Sequence, residues 1–178
     1  MFRLLIISTG GTIEKTYCEL AGTMGNHVSV LDVMLASLQL PRVHVARLAL
    51  MNKDSLDMTV DDHQRIVSAA AESAAHHDGI LIVHGTDRLA VTGEALHARW
   101  SGPSAPQIPV VLTGAMRPYE LRTTDALQNL TEAILATQLL PAGVYAVLHG
   151  QALRFPGVRK DSTRGTFVAS ETASGCPS

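Results

Sequence analysis

Two threonines in this chain each follow a glycine at the end of an apolar run, and the chemistry open to such a pair is acyl transfer. In Leu4-Leu5-Ile6-Ile7-Ser8-Thr9-Gly10-Gly11-Thr12 the aliphatic residues give way to Gly-Gly and then to a hydroxyl. Such a run reads as a buried strand that turns sharply at its C-terminal end. Glycine carries no Cβ, so a substrate can approach the backbone of that turn closely, and Thr12 is the first candidate nucleophile. Gly79-Ile80-Leu81-Ile82-Val83 repeats the pattern and runs into His84-Gly85-Thr86-Asp87, which sets a second threonine beside a carboxylate. A threonine hydroxyl attacks poorly until a base takes its proton. A lysine can do so when burial or neighbouring charge holds part of it neutral, and Lys160 is the candidate. The bland reading is an ordinary strand-to-helix turn, used twice. Neither turn is a phosphate loop or a dinucleotide fingerprint, since no Gly-Lys-Ser/Thr follows and the GxGxxG spacing is absent.

For the two turns to meet, their strands must lie in one sheet. Strand and helix patterns alternate along the chain, which predicts an α/β fold with a parallel sheet, and in open sheets of this kind sites gather at the C-terminal strand ends. Ile13 to Asn26 lacks a sustained period and holds Gly22 and Gly25, so it is expected to be a loop or hairpin able to act as a lid. Val30 to Leu40 reads as a helix with Ser29 as N-cap, and Val43 to Leu50 as a strand before the polar segment Met51 to Met58. Thr59 caps a long helix whose first turn carries Asp61 and Asp62 and which His76-His77 close. Arg88 to Trp100 is a further helix, followed by turn-rich residues 101 to 106. Val110 to Thr113 forms a strand that ends in Gly114-Ala115-Met116-Arg117-Pro118. Thr123 or Thr124 caps a helix through Ala136, and Gly143 to Leu148 is the next strand. Lys160 falls in a polar loop. Residues 1–168 are expected to form one domain, with 169–178 a mobile tail of small residues.

Composition narrows the partners. With 14 Lys+Arg against 16 Asp+Glu and no basic run interleaved with aromatics, neither nucleic acid nor an anionic membrane surface is implied. Cys18 and Cys176 stand far apart, outside any CxxC pattern, and the eight histidines show no HxH or HExxH spacing, so no disulfide framework, metal or cofactor is expected. The apolar run at residues 4–7 is too short for a secretory leader, and no stretch approaches membrane-spanning length; the expected location is the cytoplasm.

Thr9-Gly10-Gly11-Thr12-Ile13 and His84-Gly85-Thr86-Asp87 resemble the two signature motifs of the bacterial-type L-asparaginase family, and Gly114-Ala115-Met116-Arg117-Pro118 is similar to a third. Asp54-Ser55-Leu56-Asp57-Met58 resembles that family's substrate-binding serine segment, and Lys160 falls where the family keeps a triad lysine. The resemblance runs from residue 3 to about 167. It implies a flavodoxin-like parallel sheet with helices on both faces, equivalent to the N-terminal domain of two-domain asparaginases, and hydrolysis of L-asparagine to L-aspartate and ammonia through a threonine acyl-enzyme. It implies Thr12 as nucleophile; Thr86, Asp87 and Lys160 as a second triad; Ser55 and Asp87 as holders of the substrate's α-carboxylate and α-amine, with Asp54, Gly11, Gly85 and Ala115 lining the site; and Tyr17 as the lid tyrosine. Backbone N–H groups around the Thr86 and Gly114-Ala115 turns are the expected oxyanion donors.

Departures from the family pattern qualify that resemblance. Two-domain members add a C-terminal domain, whereas this chain is similar to short single-domain members. A homo-oligomer, a dimer of dimers, is expected to close the site, with the helix faces around Val30 to Leu40 and Thr124 to Ala136 as contact surfaces. Tyr17 sits closer to Thr12 than the family's lid tyrosine does, Leu56 replaces a polar neighbour of the serine, and Arg88 follows the second motif without a functional account. Arg117 and Asp125 are expected to serve local backbone groups. Two other readings stand beside the asparagine amidohydrolase: an amidase of other specificity, such as one supplying ammonia to an aminoacyl-tRNA amidotransferase, and a non-catalytic module.

Overall fold

A computed structural model describes residues 1–100, 102, 105 and 107–170 of the 178-residue chain. The central sheet has six strands, β1 (Phe2–Gly10), β4 (Val43–Lys53), β5 (Gly79–Val83), β6 (Pro109–Thr113), β7 (Gly143–Leu148) and β8 (Gln151–Arg154), in the spatial order β4-β1-β5-β6-β7-β8. Every pairing is parallel except β7 with β8. Taken in chain order, the five parallel strands run 2-1-3-4-5, the flavodoxin-like order. The expected parallel sheet therefore holds, with one antiparallel edge strand added. Two hairpins lie outside it: β2 (Thr16–Cys18) with β3 (Thr23–Gly25), and β9 (Val158–Asp161) with β10 (Thr166–Ala169).

Strand alternation builds two cores. Leu5 and Ile7 of β1, Ile80 and Ile82 of β5 and Val110 and Leu112 of β6 pack with Ile66 and Val67 of α2 (Val60–Ser73) and Leu89 and Leu96 of α3 (Leu89–Arg99). Leu4, Ile6, Leu81 and Val111 point the other way, onto Leu31 and Met34 of α1 (Leu31–Ala36) and Leu130, Ala133 and Ile134 of α4 (Ala126–Leu139). Helices thus cover both faces, as strands this apolar on both sides require. The α1 and α4 faces expected as contacts between copies are largely spent on the sheet; what they leave exposed is Val33, Leu135 and Leu139.

Local chemistry sets the boundaries. Thr59 and Asp62 form a reciprocal capping box at the start of α2, as its sequence suggests. Ser29 serves two partners at the start of α1: its Oγ accepts from the Leu31 N–H at 3.4 Å, the capping its sequence position suggests, and its hydroxyl donates to the buried Glu14 carboxylate. That helix stops early, at Ser37, whose hydroxyl bonds back to the Met34 carbonyl. Lys160 lies on strand β9 rather than in a loop: it pairs with Phe167 of β10, and buried Val158 and Phe167 anchor the hairpin to the core. Ala169 closes β10, and residues 171–178 of the expected tail, Cys176 among them, lie outside the described residues. Among the described residues no helix is long and apolar enough to cross a membrane.

Candidate active site

Sheet order makes β1 the switch point, with β4 on one side and β5 on the other, and a crevice opens at the C-terminal ends of such strands. Four turns converge there by close backbone contact. Gly11, at φ +84°, lies so close to Gly85 that a Cβ on it would overlap the Gly85 backbone. A Cβ on Gly85 would lie 2.5 Å from Ser55 Oγ, and one on Gly114 would overlap the His84 carbonyl and approach Thr86 Cγ2. The turns that carry Thr12, Thr86, Ser55 and Ala115 are thereby stacked against one another, which is why glycine recurs where the sequence repeats it. Thr9 Oγ1 donates to the Val83 carbonyl at 3.0 Å and ties the ends of β1 and β5 together.

Thr86 and Lys160, 74 residues apart, meet at hydrogen-bonding distance: Lys160 Nζ donates to Thr86 Oγ1 at 2.9 Å and to Asp87 Oδ1 at 2.8 Å. Thr86 is 3 % exposed, while Asp87 stands at the open side of the crevice. One ammonium head thus bridges a buried hydroxyl and an accessible carboxylate. Ser55 is 1 % exposed, and its Oγ has no hydrogen-bond partner among the described residues. A buried hydroxyl without a partner carries a desolvation penalty that a bound ligand would relieve.

Thr12 sits half-buried at the head of a single 3₁₀ turn, Thr12–Glu14, fixed on its far side by buried Ile13 and Glu14. Burial pushes the Glu14 carboxyl above its usual range, against the opposing effect of the Ser29 hydroxyl bond and the nearby Arg47 charge. The hairpin β2–β3 follows, and polar pins hold it down: Asn26 Nδ2 donates to the Gly11 carbonyl at 2.9 Å, Asn52 Nδ2 to the Asn26 carbonyl at 3.1 Å, and Lys15 Nζ to Asp54 Oδ2 at 2.6 Å. The other Asp54 oxygen accepts from Leu56 N–H at 3.0 Å, so both oxygens are engaged in shaping the Ser55 turn. The Lys15 bond, with the Leu56 N–H, lowers the Asp54 carboxyl's pKa. Tyr17, expected as the lid tyrosine, is 58 % exposed on β2, and its backbone N–H donates to Glu120 at 2.7 Å.

Under the Gly114–Arg117 turn lies a polar network that the sequence announces only in part. Asp125 accepts from the N–H groups of Met116 and Arg117, both at 2.9 Å, the local role expected of it, and Arg117 itself bonds the Thr123 carbonyl. Asn129, one turn along α4, donates to the Gly114 carbonyl and to Asp125, both at 2.8 Å. His149 caps the arrangement with Nε2 at 2.7 Å from Asp125 and its own N–H on Asn129 Oδ1. Burial works to raise the Asp125 carboxyl, but the bonds from Met116, His149 and Arg117 outweigh it and hold the group below its usual range. The Asp125 to Asn129 spacing of one helical turn is a signal available in the sequence; nothing local points to His149. Among the described residues no three His, Cys, Asp or Glu side chains gather as a metal site.

Known proteins resemble this chain in sequence and in fold. Residues 3–173 match the family model described as asparaginase, N-terminal. An L-asparaginase of Thermococcus kodakarensis is 35 % identical over 147 residues, 80 % of this chain and 43 % of the relative. A subunit of the glutamyl-tRNA(Gln) amidotransferase of Aeropyrum pernix is 33 % identical over 167 residues, 88 % of this chain and 38 % of its own. The solved thermostable L-asparaginase from T. kodakarensis superposes with a TM-score of 0.83 at 30 % identity, covering 94 % of this chain and 51 % of that one. The chain therefore spans about half or less of the relatives it matches. Together with the order and packing of the glycine turns, the match across nearly its whole length makes this chain a member of the asparaginase family through its N-terminal domain.

Proposed function

We propose that the crevice hydrolyses the side-chain amide of L-asparagine. The observation that carries this reading is the Lys160 bridge between Thr86 and Asp87 beside the stacked Gly11 and Gly85 turns. Thr12 Oγ attacks the amide carbonyl carbon, forming a C–O bond as the carbonyl electrons move onto oxygen. Thr86, Lys160 and Asp87 relay the hydroxyl proton toward the amide nitrogen, the C–N bond breaks, and ammonia departs. Water then attacks the acyl-enzyme, releasing aspartate and restoring Thr12. Backbone N–H groups of the Thr86 and Gly114–Ala115 turns face the developing oxyanion. Ser55 holds the α-carboxylate, for which its unpaired buried Oγ is suited, and Asp87 the α-amine. Asp54 acts by keeping the Ser55 turn in shape.

A second reading draws on the amidotransferase relative: the same chemistry feeding ammonia to a protein partner. Ammonia release by the purified chain from asparagine, from glutamine and without substrate separates the two. Turnover of free asparagine supports the hydrolase. Release that appears only when an amidotransferase partner and tRNA are added favours the amidotransferase role, and none under any condition sinks both.

A further inference from the structure

Beneath the Thr86 turn lies a chain of three buried side chains that the proposed chemistry does not use. His84 is fully buried, and its Nδ1 lies 2.8 Å from the carbonyl oxygen of Gly85. A carbonyl only accepts, so Nδ1 carries the hydrogen. His84 Nε2 lies 2.8 Å from Thr92 Oγ1, and Thr92 Oγ1 lies 2.7 Å from Nδ1 of His63 on the neighbouring helix. In a neutral His84, Nε2 is a bare acceptor. The Thr92 hydroxyl must then donate to it and accept from His63 Nδ1–H, which fixes the direction of every bond. The two imidazoles lie nearly parallel, 6.1 Å apart. Burial pushes His84 down to about 4, helped by the neighbouring His63 and opposed by the Gly85 carbonyl. His63 is lowered by burial and by the Arg88 charge, against the pull of Asp62.

The end of this chain bears on the reacting end of the site. Gly85 C=O and Thr86 N–H belong to one planar trans peptide, so they point in opposite directions. An imidazole that pulls the carbonyl toward the core turns the Thr86 N–H away from it, toward the crevice. We propose that His84, Thr92 and His63 form a positioning relay that sets the Gly85–Thr86 peptide, and with it the Thr86 N–H, for the oxyanion of the reacting amide. The proposal rests on the hydrolase reading for what that N–H does, though not for how it is held. It gives Arg88 a place as well: its charge, at the start of α3, favours the neutral ring of His63.

The test is Thr92→Val, which keeps the side chain's shape and removes the hydroxyl, with Thr92→Ser as the conservative partner. In ammonia release from asparagine, Thr92→Val is expected to lose kcat by about 10-fold or more with KM within a few-fold of wild type, since an oxyanion contact acts in the transition state. Thr92→Ser is expected to restore most of it. A folded Thr92→Val with unchanged kcat, or a serine variant as poor as the valine, overturns the relay. A second measurement covers failure of the valine variant to fold: nitrogen-15 spectra of the wild-type histidines should show His84 protonated at Nδ1 alone, and the Nε2–H form overturns the proposal. If the chain releases no ammonia at all, the hydrolase reading falls by itself. The His84 tautomer, and a Thr86 amide resonance displaced in Thr92→Val but not in Thr92→Ser, still decide whether the relay holds the turn.

Discussion

The two threonine-bearing turns meet in one crevice but are held by different physics. Thr86 is buried on a turn secured from below by neutral hydrogen bonds inside the core and from the side by Lys160, itself anchored by the buried residues of β9 and β10. Thr12 is half-exposed on one 3₁₀ turn that leads into a hairpin pinned by Lys15, Asn26 and Asn52 at the surface. Buried neutral bonds have no competing water and are nearly blind to salt, whereas partly exposed ionic pins are screened and exchange with solvent. The difference suits a division of labour: one side of the crevice keeps its geometry before substrate arrives, and the other can open to admit it.

Breaking the rigid side should have the largest effect. Lys160→Met removes the head that bridges Thr86 and Asp87, and Thr86→Val removes the hydroxyl it serves. Each is expected to lower kcat by about 1,000-fold, equivalent to about 4 kcal/mol of transition-state stabilisation. Ammonia release measured on folded protein checks this, and a variant that keeps more than about a tenth of wild-type kcat takes its residue out of the proposed chemistry. Thr12→Ala should match them, because the two turns differ in support and not in necessity.

Where the two sides touch, a single methyl group should separate them. Gly11→Ala puts a Cβ into the Gly85 backbone at a φ of +84°, so it must part the turns or strain both. A loss of about 2 kcal/mol or more in stability is expected, together with loss of turnover. Gly22→Ala is the internal control: its φ of +65° is equally unfavourable, yet nothing lies within 4 Å of the added atom. It should cost about 1 kcal/mol, the conformational penalty alone, and leave kcat unchanged. Equal effects in denaturant unfolding would mean that contact between the turns carries no energy.

Acid sharpens the comparison, because a histidine kept neutral in the core costs stability as soon as the pH falls below the ordinary histidine value. His84 is lowered from 6.5 to about 4 in the folded protein, chiefly by burial. Between those values the unfolded chain takes up a proton that the folded chain refuses, so stability is full above about pH 6.5 and falls as pH drops toward 4. His63 is lowered as well and acts in the same direction. The loss is expected to reach at most about 3 kcal/mol at the lower end from His84. Denaturant midpoints at pH 7, 6 and 5 measure it. A midpoint that stays flat across that range would show that His84 titrates normally and is not sealed in the core.

Why one side is more legible in the sequence follows from where its partners lie. The glycine turns, the strands that carry them and the Thr59–Asp62 capping box are written in adjacent residues, and pattern alone recovers them. Asp125 is legible too, because an acidic side chain at a helix start serves nearby N–H groups. Lys160 reads as a loop residue since Val158–Asp161 is a short strand, made so by pairing with residues further on and by Val158 and Phe167 reaching the core. Ser29 reads as a cap, and its Oγ does accept from the Leu31 N–H; what the sequence does not show is its second bond, to Glu14, 15 residues away. His63 and His149 give no signal, since each finds its partner only when separate helices and strands have packed, and for His84 the sequence shows its place before the Gly85–Thr86 turn but not its bond to Thr92.

The smallest expected effect belongs to the hairpin side. Lys15→Met keeps most of the side chain's volume and deletes the pin to Asp54, whose other oxygen still accepts from Leu56 N–H, so the Ser55 turn should survive while the hairpin loosens. Both partners are partly exposed, which limits such a pair to about 1 kcal/mol or less. The change should therefore appear as a KM for asparagine raised a few-fold with kcat nearly intact, because closing the crevice over substrate becomes harder while the Thr86 side is untouched. It should also shrink with added salt in the wild type: raising ionic strength from about 0.05 M to about 0.5 M shortens the screening length and should move wild-type KM toward that of the variant, whose own KM stays flat. Thr92→Val supplies the opposite pattern, a fall in kcat that salt does not touch. If Lys15→Met instead lowers kcat as Thr92→Val does, the hairpin is part of the rigid side, and the contrast between the two turns is one of exposure without consequence.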